Sequence, residues 1–76
     1  MLKELLIFLA QSLVDEPDKV TVTETESDKS IIFKLHVADA DMGKIIGKQG
    51  RNAQAIRLLM KAAGSKEDKK IIVDVE

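Results

Sequence analysis

The spacing of apolar residues switches between a helical and an extended period along the chain, and this order limits the folds that it can adopt. Leucines recur at helical spacing through residues 2–13. The turn at residues 15–18, which contains the single proline, should end that helix near Val14. Apolar and polar residues then alternate in 20–23 and again in 31–37, which predicts two strands joined by a polar turn as a hairpin.

The second half of the chain contains two helical stretches, separated by a loop with two glycines, and then a strand. Asp39 is a favourable N-cap for a short helix over residues 40–46. A longer helix is predicted from about 51 to 63, and Gly64 is placed to stop it. Alternating isoleucine and valine in residues 71–75 predict a final strand.

The predicted order α-β-β-α-α-β describes one domain over residues 1–76, an α+β fold whose three-stranded sheet carries helices on one face. The chain has no cysteine, which excludes disulfides and thiolate metal sites. The apolar run from Leu5 to Ala10 is far too short to span a membrane. Since Glu4 precedes that run and no small-residue cleavage site follows it, export is also not expected. We therefore expect a cytoplasmic protein.

Basic residues are concentrated in one part of the chain, although the net charge is −1. The segment from residue 42 to residue 61 has five basic residues and no acidic one, whereas the remainder has seven basic and thirteen acidic residues. A phosphate backbone responds to the local field rather than to the total charge. The pattern favours a nucleic-acid partner, although a solvated helix face that happens to be basic would look the same. The five residues are Lys44, Lys48, Arg51, Arg57 and Lys61.

The loop Gly47-Lys48-Gln49-Gly50 joins the two helices in a turn that is too tight for ordinary residues. Glycine allows positive φ and lets another backbone approach closely. The next helix starts at Arg51, so its unpaired N–H groups and its positive dipole end point into the same turn. With Lys44, Lys48 and Arg51 nearby, the loop is predicted to hold one or two phosphate groups. The alternative is a bare turn between helices.

Residues 45–56, Ile-Ile-Gly-Lys-Gln-Gly-Arg-Asn-Ala-Gln-Ala-Ile, resemble the signature of KH domains. That signature has two aliphatic residues, a GxxG loop, and apolar residues three and six positions later. Ala53 and Ile56 fill those positions, although the first is usually larger than alanine. The element order resembles the type II form of the domain. The chain also resembles the stand-alone bacterial KH proteins of the KhpA group in its length, in its starting helix and in the segment 41–47. This resemblance covers essentially the whole chain.

The resemblance implies a groove that holds about four nucleotides of single-stranded RNA, with GxxG against the backbone and the bases over an apolar floor. Ile46 and Ala53 would belong to that floor, and Gly43 would let the strand pass closely. Ile46 could equally be a core residue, and nothing distinguishes RNA from single-stranded DNA. The predicted RNA-binding residues are Gly43, Lys44, Ile46, Gly47, Lys48, Gln49, Gly50, Arg51 and Ala53.

No group of residues suggests catalysis, and we expect neither enzymatic activity nor a small-molecule substrate, cofactor or metal. His36 is the only histidine and is predicted to be exposed on the outer side of its strand. Asp39 and Asp41 are interpreted as a helix cap and a first-turn charge rather than an acid–base pair. The chain has no Trp or Tyr, and both phenylalanines, Phe8 and Phe33, are predicted to be buried. Stacking of bases on aromatic rings is therefore not expected, so that binding should be weakly selective for sequence.

The last helix carries a second apolar stripe, nearly opposite the one formed by Ala53, Ile56, Met60 and Ala63. Single exposed leucines are ordinary, but a contiguous apolar stripe more often marks a partner surface. We therefore predict a homodimer or, as the resemblance implies, a heterodimer with a longer multidomain KH protein. The predicted interface residues are Ala55, Leu58, Leu59 and Ala62.

Two hypotheses for function follow from these patterns. The first is an RNA-binding module that acts as a dimer, as a post-transcriptional regulator or RNA chaperone. The second is a protein-interaction subunit that mainly dimerises with a larger RNA-binding partner. The segregated basic charge favours the first hypothesis, whereas the acidic remainder and the second apolar stripe keep the second one open.

Overall fold

The computed structural model describes residues Met1–Glu76, and its elements follow the predicted order α-β-β-α-α-β. The helices are α1 (Leu2–Leu13), α2 (Met42–Ile46) and α3 (Arg51–Ala63). The strands are β1 (Thr21–Glu26), β2 (Ser30–His36) and β3 (Lys70–Val75). Short 3-10 turns lead into β1, α2 and α3 at Pro17–Lys19, Asp39–Asp41 and Lys48–Gly50. The predicted α+β class is confirmed.

The three strands form one mixed sheet in the order β1-β2-β3. Strands β1 and β2 pair antiparallel as the predicted hairpin, whereas β2 and β3 pair parallel. Strand β1 is longer than its alternating pattern indicated. It continues to Glu26, which pairs with Ile31 of β2. Val22 is the only buried residue of this strand. The arrangement is that of the type II KH fold, and it leaves the outer edge of β3 without a partner strand.

One face of the sheet is buried beneath the helices, and the other is exposed. Phe33 and Leu35 of β2 are fully buried, and His36 points to the exposed face as predicted. Burial of each side chain of this size stabilises the fold by about 1.5–3 kcal/mol, so the layer between sheet and helices carries most of the stability. The helices contribute Leu6, Ala10, Ile45, Ile56 and Met60 to this core. No helix is both long enough and apolar enough to cross a membrane.

The end of α3 lies close to the sheet at Gly64, the residue that was predicted to stop this helix. Its N–H donates to the carbonyl of Met60 over 2.9 Å. A Cβ at Gly64 would lie 2.8 Å from Cγ1 of Ile71, so the absence of a side chain lets α3 approach β3. This glycine therefore serves packing as well as helix termination.

Of the two predictions about the segment before α2, the one for Asp39 is wrong and the one for Asp41 is incomplete. Asp39 does not cap a helix, because residues 39–41 form a 3-10 turn and α2 begins only at Met42, with no side-chain cap at either start. Asp41 does lie in this first turn, as predicted, but its side chain is buried and accepts two backbone N–H groups from the α1–β1 connection. What the sequence did not indicate is that Asp41 bonds to a distant segment of the chain.

The predicted burial of the two phenylalanines is half correct. Phe33 is fully buried, but the side chain of Phe8 is 66% exposed. Leu6 and Ala10 face the core from α1, and at about 100° per residue Phe8 points nearly the opposite way from Leu6. The chain therefore does present one aromatic ring to solvent, contrary to the expectation that it presents none.

Candidate nucleic-acid interface

The loop between α2 and α3 has a backbone that depends on its glycines. Gly47 has φ 74° and ψ 176° and Gly50 has φ 75° and ψ 12°, while Gln49 between them has φ 59°. The conformation of Gly47 is accessible to essentially no other residue type. The loop is closed by the N–H of Gly47, which donates to the carbonyl of Gly43 over 2.8 Å, and by that of Gly50, which donates to Gly47 over 3.2 Å. In total, three of the four loop residues have positive φ, namely Gly47, Gln49 and Gly50.

Asn52, in the first turn of α3, lies directly against this loop. Its side-chain amide Nδ2 donates to the carbonyl of Lys44 over 2.8 Å, which joins α3 to α2. A Cβ at Gly47 would lie 2.6 Å from Cγ and 2.9 Å from the backbone N of Asn52. Gly47 therefore meets a steric as well as a conformational requirement for glycine. By contrast, a Cβ at Gly50 would have nothing within 4 Å.

The positive charges around the loop are of two kinds. Lys48 and Arg51 are exposed and make no ion pair. Lys44 instead bonds to the carboxylate of Asp15, and its Nζ lies 3.7 Å from Oδ1 of Asp41. The hydrogen bond to Asp15 is the main reason why the pKa of Lys44 is raised. The free cations thus lie in the loop and at the start of α3, where no side chain caps the helix N–H groups.

The carboxylate of Asp41, the residue that precedes α2, is buried from solvent. Its Oδ1 accepts the N–H of Asp15 over 3.2 Å and its Oδ2 accepts the N–H of Glu16 over 3.0 Å. Burial alone would raise the pKa of Asp41, but these two bonds, together with Lys44, outweigh it and hold the pKa below its ordinary value. The carboxylate is therefore charged and joins the α1–β1 connection to the start of α2.

The remaining predicted site residues surround the loop. Gly43 is exposed, and a Cβ there would meet nothing within 4 Å, so no contact within the chain requires glycine at this position. Ile46 is 42% exposed, while its neighbour Ile45 is fully buried. Ala53 is buried in the first turn of α3. Thus Ile46, which could have been a core residue, offers apolar surface beside the loop.

A cleft between α3 and the open edge of β3 was missed from the sequence. It has a volume of about 250 Å³, and Arg57, Lys61 and Lys70 line it together with residues 71–73. The Nε of Arg57 donates to the carbonyl of Val73 over 3.3 Å. Arg57 and Lys61 were counted in the basic segment, but their meeting with a strand edge depends on tertiary packing. This α3–β3 cleft extends the basic surface along α3.

Apolar side chains are exposed on the side of α3 where the second stripe was predicted. Leu58 is 69% exposed and Leu59 is 49% exposed, and Phe8 of α1 is exposed as well. Between α1 and α3 lies an apolar groove of about 230 Å³ that Leu13 and Leu59 help to line. We call this surface the α1–α3 face. It consists of Phe8 and Leu13 of α1 and of Ala55, Leu58, Leu59 and Ala62 of α3, all of them exposed.

Comparison with known proteins places the chain among relatives of nearly its own length. The family model described as "KhpA/KhpB, KH domain" matches residues 3–75. The chain is 54% identical over 74 residues to the RNA-binding protein KhpA of Clostridium acetobutylicum, covering 97% of this chain and 99% of that protein. It is 57% identical over 72 residues to KhpA of Caldanaerobacter subterraneus subsp. tengcongensis, with 95% and 96% covered. The KhpA of Chlamydia trachomatis is 39% identical over 74 residues, with 97% and 95% covered.

Proposed function

The chain belongs to the KhpA/KhpB family of KH domains, and on that premise we propose that it binds single-stranded RNA by gripping the backbone with its GxxG loop. The observation that carries this proposal is the loop itself. Its positive-φ backbone at Gly47, Gln49 and Gly50 leads into a helix start that no side chain caps. Such a helix start attracts phosphate through its N–H groups and dipole.

The residues around the loop support the same role. Lys48 and Arg51 are free of acidic partners and can face phosphate groups, whereas Lys44 must first leave Asp15. The open space in front of Gly43 lets a strand pass, and the half-exposed Ile46 provides an apolar floor with the buried Ala53. The α3–β3 cleft would give the strand a basic path beyond the loop. A grip of this kind distinguishes phosphates but carries no information about the bases.

We further propose that the functional unit is a pair of chains joined through the α1–α3 face. One loop holds only a few nucleotides and should bind weakly, while two linked loops gain affinity by raising their effective concentration on the same RNA. The occupant of the face would be a second copy of the chain or a longer multidomain KH protein. A non-enzymatic, cytoplasmic post-transcriptional regulator or RNA chaperone fits weak, sequence-tolerant contacts of this kind.

The alternative function is a protein-interaction subunit that leaves RNA contact to a larger RNA-binding partner. The exposed apolar surface at Phe8, Leu58 and Leu59 favours it, together with the acidic charge outside the basic segment. The two functions differ in whether the chain binds RNA by itself. Titration of an unstructured oligonucleotide with the purified chain therefore discriminates between them.

The salt dependence of RNA binding tests the backbone grip directly. Since single-stranded RNA gives a log–log slope of about −0.7 per neutralised phosphate, contacts to about three phosphates should give a slope of about −2. The measurement is fluorescence anisotropy of a labelled ten-nucleotide oligouridylate across a series of salt concentrations. A duplex of equal length serves as a control and should bind more weakly. Affinity that does not depend on salt would contradict the proposed grip.

Replacement of Leu59 by lysine should convert the pair to single chains. Leu59 is about half exposed, so the fold should tolerate the change, whereas a charge at the centre of an apolar interface should weaken association by about a hundredfold. Analytical ultracentrifugation measures the mass. Gln54→Lys is the matched control, because Gln54 is exposed on the same helix but outside the α1–α3 face. An unaltered dimer mass in L59K would place the interface elsewhere.

A further inference from the structure

Asp41 is the one charged residue of the chain whose side chain is buried, at 1% exposure. A buried carboxylate is tolerated only when it is paired and hydrogen-bonded. Here both oxygens are used, and both accept backbone N–H groups of the α1–β1 connection, at Asp15 and Glu16. Lys44 compensates the charge from one helical turn away. The carboxylate therefore fixes a segment 25 and 26 residues away to the start of α2.

Helix α2 needs such support because it has only five residues. A helix this short does not form on its own, so its orientation comes from tertiary contacts, which are the packing of Ile45 in the core and hydrogen bonds at its two ends. Asp41 holds the amino end, and at the carboxyl end Asn52 donates to the carbonyl of Lys44 over 2.8 Å. Ile46 and Gly47, the first glycine of the loop, follow directly after the second of these points. The orientation of the α2 axis therefore determines where Ile46 and the GxxG loop are placed.

We propose that Asp41 and Asn52 are positioning residues for RNA binding, which hold α2 at both ends so that the GxxG loop is already shaped before RNA arrives. This inference rests on the proposed function. Asp41 is too deeply buried to contact a ligand, so that its effect must pass through α2. Shaping a site in advance strengthens binding, because the ligand does not have to order it. Without either contact, the loop would have to be ordered by the RNA.

The test measures the affinity of Asp41→Asn and Asn52→Ala for the ten-nucleotide oligouridylate. In D41N an amide group replaces one acceptor oxygen and meets a backbone N–H donor, while N52A removes one donor at the surface. Each variant should bind about tenfold more weakly than the unmodified chain after correction for the folded fraction. The amide protons of Gly47 and Gly50 should exchange faster in the free variants, since a loosened α2 opens more often.

Two matched controls accompany the test. Asp39→Asn makes the same chemical change two residues away, at an exposed side chain with no hydrogen bond. Gln54→Ala truncates an exposed amide on the same helix as Asn52. Both controls should stay within about twofold of the unmodified chain, as substitutions at exposed positions usually do. If D41N does not fold, N52A with its control decides alone, because Asn52 lies outside the hydrophobic core.

The outcomes separate this inference from the proposed function. Unchanged affinity and exchange in both variants would overturn the positioning role, as would a loss of affinity that only follows the unfolded fraction. The double aspartate variant at Lys48 and Gln49 is measured in the same titration. If it loses binding while D41N and N52A do not, only the positioning role fails. If it binds as well as the unmodified chain, the loop is not the site and both proposals fall.

Discussion

Replacement of both Lys48 and Gln49 with aspartate should abolish binding to single-stranded RNA and leave the fold intact. Both side chains are exposed in the loop and belong to no core contact. The double change turns one positive and one neutral group into two carboxylates at the place where the phosphates are proposed to bind. Like charges across an interface cost several kcal/mol, and each 1.4 kcal/mol is a factor of ten. We therefore expect affinity to fall by about a hundredfold in the anisotropy titration, with an unchanged circular dichroism spectrum.

The matched control carries the same change in charge at the other end of α3. Ser65 and Lys66 are exposed in the α3–β3 loop, about 20 Å along the helix axis from Gly50. Their double replacement by aspartate also makes the net charge more negative by three. It should weaken binding only slightly at moderate salt, because charges at that separation are screened. Equal losses in the two variants would mean that total charge, not the loop, governs RNA affinity.

Gly47→Ala should be the most destabilising single change in the loop. The backbone conformation of Gly47 costs about 1–3 kcal/mol for any residue with a side chain. Its new Cβ would in addition lie 2.6 to 2.9 Å from three atoms of Asn52, one of them in the backbone. Overpacking of this kind adds about 1–3 kcal/mol, so we expect a total loss of about 2–6 kcal/mol. A domain of this length has a free energy of unfolding of only about 4–11 kcal/mol.

Gly50→Ala is the control for that experiment. Gly50 has the same positive φ, but a Cβ there meets nothing within 4 Å, so the loss should be only about 1–2 kcal/mol. Urea unfolding followed by circular dichroism gives both values from the shift in midpoint at constant slope. If G47A and G50A were equally stable, the overlap with Asn52 would be relieved without cost, and the loop would be more adaptable than its geometry indicates.

Local features of the fold were predictable because local patterns determine them. The period of the apolar residues placed all six helices and strands. Gly47 and Gly50 identified the turn between α2 and α3, because positive φ is a property of a single residue. The pattern was weakest at the end of β1, since Thr25 and Glu26 pair with β2 without being buried. Pairing between backbones does not require the alternation of apolar residues by which the other strands were recognised.

Contacts across the sequence were not predictable in the same way. Asp41 was predicted only to be a first-turn charge, because its partners, the N–H groups of Asp15 and Glu16, are 26 and 25 residues away. For the same reason Lys44 looked like a free cation, although it pairs with Asp15. The exposure of Phe8 depends on which side of α1 faces the sheet, and that side is the one that carries Leu6 and Ala10. In each case the deciding partner is brought near only by folding.

Helix α3 begins at the loop and also carries most of the α1–α3 face. Leu58 and Leu59 lie eight and nine residues after Gly50, which is about 12–14 Å along the helix axis. In a symmetric pair joined at these leucines, the spacing of the two loops would be set by the length of a rigid helix rather than by a linker. Such a pair would select RNAs by the distance between two unpaired stretches. Target choice would then be a matter of RNA architecture, because a grip on phosphates alone carries no information about the bases.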